Sequence, residues 1–329
     1  MSALSEIRVL LVEPHGGMRS SIHNMLNLCG ITKIEHGISS STALGFIKNK
    51  YFDVILCEYD LGPGQDGQQL LEDMRHHKLA PLTTIFIMVT GERSYEKVVS
   101  AAELAPNDYL LKPFTPDDLL ERISRAIKKR SLFISVYHLM DSGEYQSAIE
   151  ECLLKETQHV REKVDFMRLR AELHILLGEP DAAEPIYQQL SEMRAVAWAR
   201  LGLARSIHLQ GRYAEAEGIL KTLVEENNRY MDAFDLLAKN HELFGHLESA
   251  KSVLTHAVEI SPHGVRRLRK LGEIALATGD FKTAEANLKK VVSKVKFSEF
   301  RDPEDHVNLV NALVQNGNID QAKSVVREL

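Results

Sequence analysis

Short apolar runs alternate with amphipathic segments over the first part of the chain. Runs rich in valine, isoleucine and leucine predict five strands, at residues 7–12, 31–36, 54–57, 85–89 and 108–112. Segments with apolar residues at helical spacing predict helices at residues 18–28, 41–49, 68–76 and 95–103, and from residue 115 onward. Strands that alternate with helices in this way favour a parallel, doubly wound five-stranded sheet.

A different pattern begins near residue 131, where strand-like runs stop and helix-forming residues dominate up to residue 329. A glycine followed five residues later by an alanine recurs six times, with the glycines at positions 143, 178, 211, 245, 279 and 317. The intervals of 35, 33, 34, 34 and 38 residues indicate repeated helix pairs. We expect each glycine to end the first helix of its pair in a left-handed conformation. Since one pair cannot bury its apolar face alone, the pattern predicts an α-solenoid of about six stacked pairs.

The two patterns divide the chain into domains at residues 1–130 and 131–329. No proline- or glycine-rich linker separates them, so we expect a continuous helix or two closely abutting helices at the junction. The basic run Lys128-Lys129-Arg130 lies there and is typical of a solvated helix C-terminus. The last interval predicts about four extra loop residues near 294–301. The chain stops within the last predicted helix, which leaves open a truncated fragment, or a partner or second copy that covers this helix.

Overall charge and cysteine content narrow the functional classes. The formal net charge is −6, whereas binding to nucleic acid or to an anionic membrane favours a basic face. Cys29, Cys57 and Cys152 form no Cys-x-x-Cys pair, which argues against a zinc site and a disulfide framework. No apolar run approaches the ~18 residues of a membrane span, and no signal segment precedes the first strand. We therefore expect a cytoplasmic protein without nucleic-acid or membrane partners.

Candidate chemistry is concentrated where the third predicted strand ends in Glu58. Ligand sites of open α/β sheets lie at the carboxyl ends of the strands. The following residues 62–67 fit the spacing G-x-G-x-x-G, but Pro63 lacks a backbone donor, and Glu58, Asp60 and Asp66 would repel a pyrophosphate. We therefore expect no dinucleotide site. The signatures of metalloproteases, P-loop nucleotide sites and serine hydrolases are absent from the sequence, so we expect no enzyme active site.

The strand-end residues of the first domain resemble those of bacterial response-regulator receiver domains, the CheY-like family. Across roughly residues 5–130 the landmarks of that family occur in order: acidic residues and an arginine after strand 1, a phosphoacceptor ending strand 3, an Asp-Gly step, a switch hydroxyl ending strand 4, and a switch aromatic before a Lys-Pro pair. The corresponding residues are Glu13-Pro14 and Arg19, Glu58, Asp66-Gly67, Thr90, Tyr109 and Lys112-Pro113. The resemblance implies a flavodoxin-like fold and a role in two-component phosphorelay signalling.

By this resemblance Glu58 occupies the phosphoacceptor position and Glu13 belongs to the acidic pocket. Mg²⁺ is the implied cofactor, with Glu13, Glu58 and Asp60 as its ligands. Two departures change the chemistry: Pro14 supplies no side-chain oxygen, and Glu58 is one methylene longer than the aspartate of the family. Because Mg²⁺ requires near-octahedral oxygens and misplacement by ~1 Å costs ~100-fold in rate, we predict weak or absent Mg²⁺ binding and impaired phosphorylation.

Four interpretations of the acceptor position stay open at this point. Glu58 extends toward Lys112 and imitates the activated state, or a Glu58–Lys112 salt bridge only holds the loops. Asp60, two residues past the strand end, is the second choice of acceptor. A fourth interpretation takes Glu58 as an engineered replacement of a native aspartate.

The second domain resembles tetratricopeptide repeats, whose units of about 34 residues bind proteins in a concave groove lined by the first helix of each pair. By the repeat register, the partner-binding candidates are Trp198, Arg205, Lys239 and Arg269. Trp198 and Arg205 are favoured because these residue types are enriched at interfaces. Packing of Trp198 in the core between repeats is the alternative.

Together the two resemblances imply a non-enzymatic signalling adaptor, with a receiver-like input joined to a tetratricopeptide output that binds a protein partner. The implied upstream partner is a sensor histidine kinase or a phosphotransfer protein, which the degenerate receiver would dock without accepting phosphate. One alternative is a phosphorylatable switch that uses Asp60 or a native aspartate at position 58. The other is a structural assembly scaffold that forms a homodimer through the receiver.

Overall fold

The computed structural model describes residues 3–62, 65–91, 106–193, 196–262, 264–295 and 301–328. Within these ranges, residues up to Val160 form one compact unit and residues from Arg161 form a second. No helix in the described ranges combines the length and the apolar character that a membrane span needs.

The first unit contains the five-stranded parallel sheet that the sequence predicts. Its strands are β1 (Arg8–Val12), β2 (Lys33–Gly37), β3 (Val54–Glu58), β4 (Ile85–Thr90) and β5 (Asp108–Leu111). Their order is β2-β1-β3-β4-β5, with every neighbouring pair parallel. The helices between them are α1 (Gly16–Leu28), α2 (Ser40–Asn49) and α3 (Gly67–His76). The helix predicted at 95–103 lies outside the described residues.

Burial of the central strands explains their sequence. Every residue of β3 and β4 is buried, as are the last four residues of β1. Strands covered on both faces read as continuous apolar runs rather than as alternating ones. The run of β3 is broken only by its last residue, Glu58, which therefore marks the carboxyl edge of the sheet.

A single helix, α4 (Pro116–Asp141), runs through the predicted domain junction. The Thr115 hydroxyl caps it by accepting the backbone N–H of Asp118 at 3.2 Å, and Pro116 occupies its first turn. The predicted continuous helix is therefore confirmed. The interpretation of residues 128–130 as a helix C-terminus is wrong, because the helix continues to Asp141.

Arg130 has a different role from the one expected of a terminal cation. Its guanidinium lies 3.2 Å from the Asp53 carboxylate, beside the start of β3, and both side chains are mostly buried. The second half of α4 then pairs with α5 (Tyr145–Gln158), where the Ser135 hydroxyl donates to Glu151 at 2.7 Å. The boundary predicted at residue 130 falls inside α4 and stays a prediction.

The second unit consists of helix pairs. The helices are α6 (Lys163–Leu176), α7 (Pro180–Met193), α8 (Ala197–Leu209), α9 (Tyr213–Glu226), α10 (Met231–Leu243), α11 (Leu247–Ile260), α12 (Val265–Ala277), α13 (Phe281–Val295), α14 (Pro303–Gln315) and α15 (Ile319–Glu328). All six repeat glycines of the chain have φ between 74° and 85°, so the predicted left-handed helix ends are confirmed. The predicted extra loop residues fall largely at 296–300, outside the described residues.

Close packing of successive helices depends on small residues. A Cβ atom on Gly202 of α8 would lie 2.2 Å from the ring of Tyr187 on α7. A Cβ atom on Gly272 of α12 would likewise lie 2.7 Å from Leu288 of α13. The repeat alanine Ala216 is fully buried. Glycine at these positions lets two helices approach closely enough for a large side chain of one to rest on the backbone of the other.

Candidate functional site

Side chains from three strand ends meet at the carboxyl edge of the sheet. Glu13 follows β1, Glu58 ends β3 and Lys112 follows β5. The backbone N–H of Lys112 donates to the Thr90 carbonyl oxygen at 2.8 Å, which fixes where the lysine side chain starts. Because all strands are parallel, these ends lie on one edge of the sheet, as the sequence predicts.

The Lys112 ammonium bridges both carboxylates. Its Nζ donates to Glu13 Oε2 at 2.9 Å and contacts Glu58 Oε2. The side chain of Glu13 is 1% exposed, that of Glu58 11% and that of Lys112 21%, so these charges are largely shielded from water. Burial alone would lower the pKa of Lys112, but hydrogen bonds and charges from Glu58 and Glu13 raise it above its usual value. The ammonium is therefore held in its charged form.

The second oxygen of Glu58 is held by the loop that follows β3. Its Oε1 accepts the backbone N–H of Tyr59 at 2.9 Å and that of Asp60 at 3.3 Å. The extra methylene of glutamate lets the carboxylate fold back onto these donors while its other oxygen reaches Lys112. Both oxygens therefore carry hydrogen bonds that a nucleophilic attack would have to disrupt.

Glu13 is fixed by backbone contacts of its own. Its Oε1 accepts the backbone N–H of His15 at 2.9 Å. The Arg19 guanidinium donates to the carbonyl oxygens of Glu13 at 2.7 Å and Pro14 at 3.1 Å. Pro14 thus contributes a carbonyl oxygen to the backbone network and no side-chain oxygen to the pocket.

The Asp66-Gly67 step has a steric reason. A Cβ atom on Gly67 would lie 2.4 Å from the Glu58 carbonyl oxygen, and the Gly67 backbone N–H donates to the Tyr59 carbonyl oxygen at 2.7 Å. The Asp66 carboxylate caps α3 by accepting the backbone N–H of Gln69 at 2.8 Å. The glycine allows α3 to start directly against the end of β3, and it thereby shapes the pocket.

The remaining predicted residues occupy distinct places. Asp60 is exposed, and its Oδ1 accepts the backbone N–H of Gly62 at 2.9 Å, so it is turned to its own loop. Thr90 ends β4 and is 2% exposed, and Tyr109 lies in β5 and is 8% exposed. The structure therefore brings Glu13, Glu58 and Lys112 into contact, while Asp60 takes part through its backbone N–H.

The predicted groove residues of the second unit differ in their availability. Trp198 is half-buried, packs against a core cluster that includes Tyr187, and carries the Arg168 guanidinium over its ring at 4.8 Å. Lys239 is exposed. The Arg269 guanidinium donates two hydrogen bonds to Asp305, at 2.5 and 2.6 Å, and Asp305 is 1% exposed. Arg269 is thus engaged within the repeat array.

Arg205 lies in a group of opposite charges. Burial lowers the pKa of Arg205, and the nearby Asp232 carboxylate opposes this effect. Burial and the charge of Asp235 raise the pKa of Asp232 to about 6, against the influence of Arg267, Arg266 and Arg205. Arg205 and Asp232 therefore lie among charges of both signs, and burial together with a like charge raises the pKa of the acid.

Comparison with known proteins identifies the family of the first domain. Residues 9–124 match the family described as response regulator receiver domain. Chemotaxis protein CheY of Pseudomonas aeruginosa is 30% identical over 124 residues, which cover 37% of this chain and 98% of that protein. The chain belongs to the response regulator receiver family. Chemotaxis protein CheY-3 of Vibrio cholerae serotype O1 is similar to this receiver domain as well, with 28% identity over 124 residues that cover 37% of this chain and 93% of that protein.

Solved structures resemble each part of the chain. A CheY-like receiver domain protein from Methanospirillum hungatei has 31% identity and covers 38% of this chain and 96% of its own, with a TM-score of 0.34. Residues 174–239 match the tetratricopeptide repeat family. A tetratricopeptide repeat protein from Parabacteroides merdae has 14% identity and covers 60% of this chain and 77% of its own, with a TM-score of 0.46. The chain is a response regulator receiver joined to a tetratricopeptide repeat domain, a class of domain that binds proteins.

The residues of the receiver pocket do not fit the Mg²⁺ ion that receiver domains commonly bind. Mg²⁺ requires several oxygen ligands in near-octahedral geometry. Within the described ranges, no group of three or more His, Cys, Asp or Glu side chains is placed to hold a metal ion. Glu13 and Glu58 share the ammonium of Lys112, Pro14 adds no side-chain oxygen, and Asp60 is turned to Gly62. The lysine lies between the two carboxylates that a cation would need.

Several contributors to the receiver pocket carry no signal in the sequence. The backbone N–H groups of His15, Tyr59 and Asp60 donate to the carboxylates, and a backbone donor leaves no mark on residue type. In the repeat domain, the Arg168 guanidinium over Trp198 was also not predicted as a pair. The repeat register places both residues on first helices of neighbouring units, which is the signal that would have found it.

Proposed function

We propose that the receiver is a permanently set docking module rather than a phosphoryl-transfer switch, and that the repeat domain carries the protein-binding output. The observation that supports this proposal is the bridge from Lys112 to Glu13 and Glu58. When a carboxylate attacks a phosphoryl group, a divalent cation and a lysine neutralise the charge of the transferred group. In this pocket the charge of the lysine is already compensated by the two carboxylates.

The position of Glu58 provides the negative charge that phosphorylation would otherwise supply. Its carboxylate places a fixed negative charge on Lys112, one methylene beyond the reach of an aspartate. The receiver therefore presents one surface to a sensor histidine kinase or phosphotransfer protein, whether or not a phosphodonor is present. Docking without phosphoryl transfer would make the chain a sequestering adaptor.

The two functions are assigned to the two domains of the sequence pattern, with the receiver at residues 1–130 and the repeats at residues 131–329. By packing, the first helix pair belongs to the receiver unit, because Val160 is the last residue of that unit. On this proposal α4 is a shared element: its first half completes the receiver, and its second half is the first helix of the repeat array.

Ligand binding to the pocket tests the receiver part of the proposal. Beryllofluoride with Mg²⁺ imitates a phosphoryl group, so its binding is measured on the unaltered protein, on the single variants Glu58→Asp and Pro14→Asp, and on the double variant. We expect no binding to the unaltered protein, partial recovery in Glu58→Asp and the tightest binding in the double variant. Tight binding to the unaltered protein would show that the pocket is a working switch and would contradict the proposal.

A phosphodonor experiment tests whether Asp60 accepts a phosphoryl group. The intact mass of the chain is measured after incubation with a small phosphodonor and Mg²⁺, with Asp60→Asn as the matched variant. We expect no gain in mass in either protein. A gain that disappears in Asp60→Asn would make Asp60 the acceptor and would replace the docking proposal by a phosphorylation switch.

Tryptophan fluorescence tests the second part of the proposal, which is that the repeat domain binds a protein partner. Trp198 is the only tryptophan of the chain, so its emission reports events near the groove. A purified protein partner that binds there is expected to shift this emission, and Lys239→Glu is expected to weaken the binding. A partner that binds with equal affinity to a Trp198→Phe, Lys239→Glu double variant would show that the output surface lies elsewhere.

A further inference from the structure

Two histidines of the receiver lie in direct contact outside the pocket. His23 is half-buried on α1, and His36 is exposed on β2, which is the edge strand of the sheet. The Nδ1 atom of His23 and the Nε2 atom of His36 are 3.0 Å apart. The rings are arranged edge to face, with centroids 5.0 Å apart and an interplanar angle of 87°. The geometry brings together two imidazole nitrogens from elements that are separate in the chain.

We propose that His23 and His36 form a two-imidazole site for a late first-row divalent metal ion, with Cu²⁺ preferred over Ni²⁺ and Zn²⁺. Two nitrogens that each bind a metal at ~2.0–2.1 Å, at an angle between 90° and 109°, are roughly 2.8–3.4 Å apart. The observed separation of 3.0 Å lies in this interval. The two nitrogens therefore already have the spacing of two ligands of one ion. The preference for Cu²⁺ follows the general order of affinities for nitrogen ligands.

The surroundings of the pair are compatible with this role. Burial lowers the pKa of His36, and the charges of His23 and Arg19 lower it further, with Glu35 opposing them. Neutral imidazole is the form that binds metal ions, and a lowered pKa favours that form of His36. The Arg19 guanidinium donates to the carbonyl oxygens of Glu13 and Pro14, and the Glu35 carboxylate pairs with Lys50 at 2.5 Å. Neither residue is thus in position as a third ligand, and solvent completes the coordination.

A metal ion at this position would join α1 to the edge strand. The contact between the two imidazoles links α1 to β2 at this point, so an ion would replace one hydrogen bond by two metal–nitrogen bonds. Because α1 also carries Arg19, which orders the backbone of Glu13 and Pro14, the ion would stabilise the side of the receiver that borders the pocket. This site uses nitrogen ligands and is separate from Glu13, Glu58 and Lys112, so Mg²⁺ should not compete for it.

Titration of the full-length protein with each metal salt alone tests the site. Cu²⁺, Ni²⁺, Zn²⁺ and Mg²⁺ are compared by calorimetry, and the coordination of bound Cu²⁺ is read from electron paramagnetic resonance. The variants are His23→Gln, His36→Gln and the double variant, with His15→Gln as the matched control because His15 is an exposed histidine at the start of the same helix. We expect one Cu²⁺ with two nitrogen ligands per chain, and a loss of at least ~10-fold in affinity in either variant of the pair.

Two further readouts decide the result. Saturating Cu²⁺ or Ni²⁺ is expected to raise the unfolding midpoint of the unaltered protein and of His15→Gln, but not that of the double variant. In NMR spectra of the unaltered protein, a substoichiometric amount of Cu²⁺ should broaden the ring signals of His23 and His36 before those of other histidines. This measurement tests the site even where a variant fails to fold. Equal Cu²⁺ affinity in the unaltered protein and the double variant, or broadening spread evenly over the histidines, would reduce the pair to an imidazole–imidazole hydrogen bond and overturn the proposal.

Discussion

The Lys112 ammonium contacts the Glu58 carboxylate although strand β4 separates the strands on which the two residues depend. The lysine side chain spans this distance along the carboxyl edge of the sheet and also reaches Glu13. One cation thereby compensates two largely buried carboxylates that belong to different strands. On the docking proposal, the same bridge both stabilises the receiver and keeps the lysine from a phosphoryl group.

Removal of this cation should destabilise the receiver. In Lys112→Met, Glu13 and Glu58 lose their shared partner, and breaking a buried ion pair in this way costs ~3–5 kcal/mol. Because the Lys112 side chain is 21% exposed, we expect a smaller loss, about 2 kcal/mol in the free energy of unfolding. Urea unfolding of Lys112→Met, Glu58→Gln and the double variant measures the coupling, which we expect to be ~1 kcal/mol or more. Strictly additive losses would show that the contact contributes nothing beyond its separate residues.

The junction between the receiver and the repeats should be sensitive to one arginine. Arg130 pairs with Asp53 beside β3, with side-chain exposures of 16% and 19%, and its Nη1 lies 3.4 Å from the Thr83 carbonyl oxygen. We expect Arg130→Met to lower the free energy of unfolding of the first unit by ~1–2 kcal/mol, because it leaves the Asp53 carboxylate with one charge partner fewer. The exposed neighbour Lys128 is the matched control, and Lys128→Met should change stability by less than ~0.5 kcal/mol. Equal effects of the two substitutions would mean that the pair is an ordinary surface contact.

The contrast between the arginine and the glycines shows which features a sequence can predict. Gly143 and Gly317 lie in left-handed helix ends, and this follows from residue type and spacing because the conformational need is local. The role of residues 128–130 could not be predicted in the same way, because the continuation of the helix depends on the burial of Phe133 and Val136 in the folded protein. The order of the sheet and the approach of Glu58 to Lys112 could be predicted from strand ends. The backbone donors at Tyr59 and Asp60 could not, since they depend on how the loop folds around the extra methylene.

Close approach between neighbouring repeats gives a third prediction. A Cβ atom on Gly202 would lie 2.2 Å from the buried Tyr187 ring, so Gly202→Ala forces the two helices apart. We expect a loss of ~2–3 kcal/mol in the free energy of unfolding, typical of overpacking a core. Gly218 lies within α9 with no atom near its virtual Cβ, and Gly218→Ala should stabilise the protein by up to ~1 kcal/mol through helix propensity. Thermal unfolding of both variants gives the test, and a neutral Gly202→Ala would show that Tyr187 can move at little cost.

The raised pKa of Asp232 should make stability depend on pH between about 4 and 6. Burial and Asp235 raise the pKa of Asp232 to about 6 in the folded protein, from 3.8 in the unfolded chain. Between these values the folded state holds a proton that the unfolded state has lost, so the contribution of this group falls as pH rises from about 4 through about 6 and then levels off. Asp232→Asn keeps the shape and removes the charge. We therefore expect it to stabilise the protein by ~1–3 kcal/mol at neutral pH and to have little effect at about pH 4.

Urea unfolding of the unaltered protein and Asp232→Asn across this pH range measures the difference directly. The matched control is Asp235→Asn, because the Asp235 carboxylate accepts two hydrogen bonds from Arg267, at 2.7 and 2.8 Å, and its removal should destabilise the protein at neutral pH. Opposite signs for two acids three residues apart on α10 would follow from their surroundings, since Asp235 accepts two hydrogen bonds from Arg267, whereas burial and a like charge outweigh the nearby arginines at Asp232. A difference between the unaltered protein and Asp232→Asn that stays constant over the whole pH range would show that Asp232 is not the group that titrates.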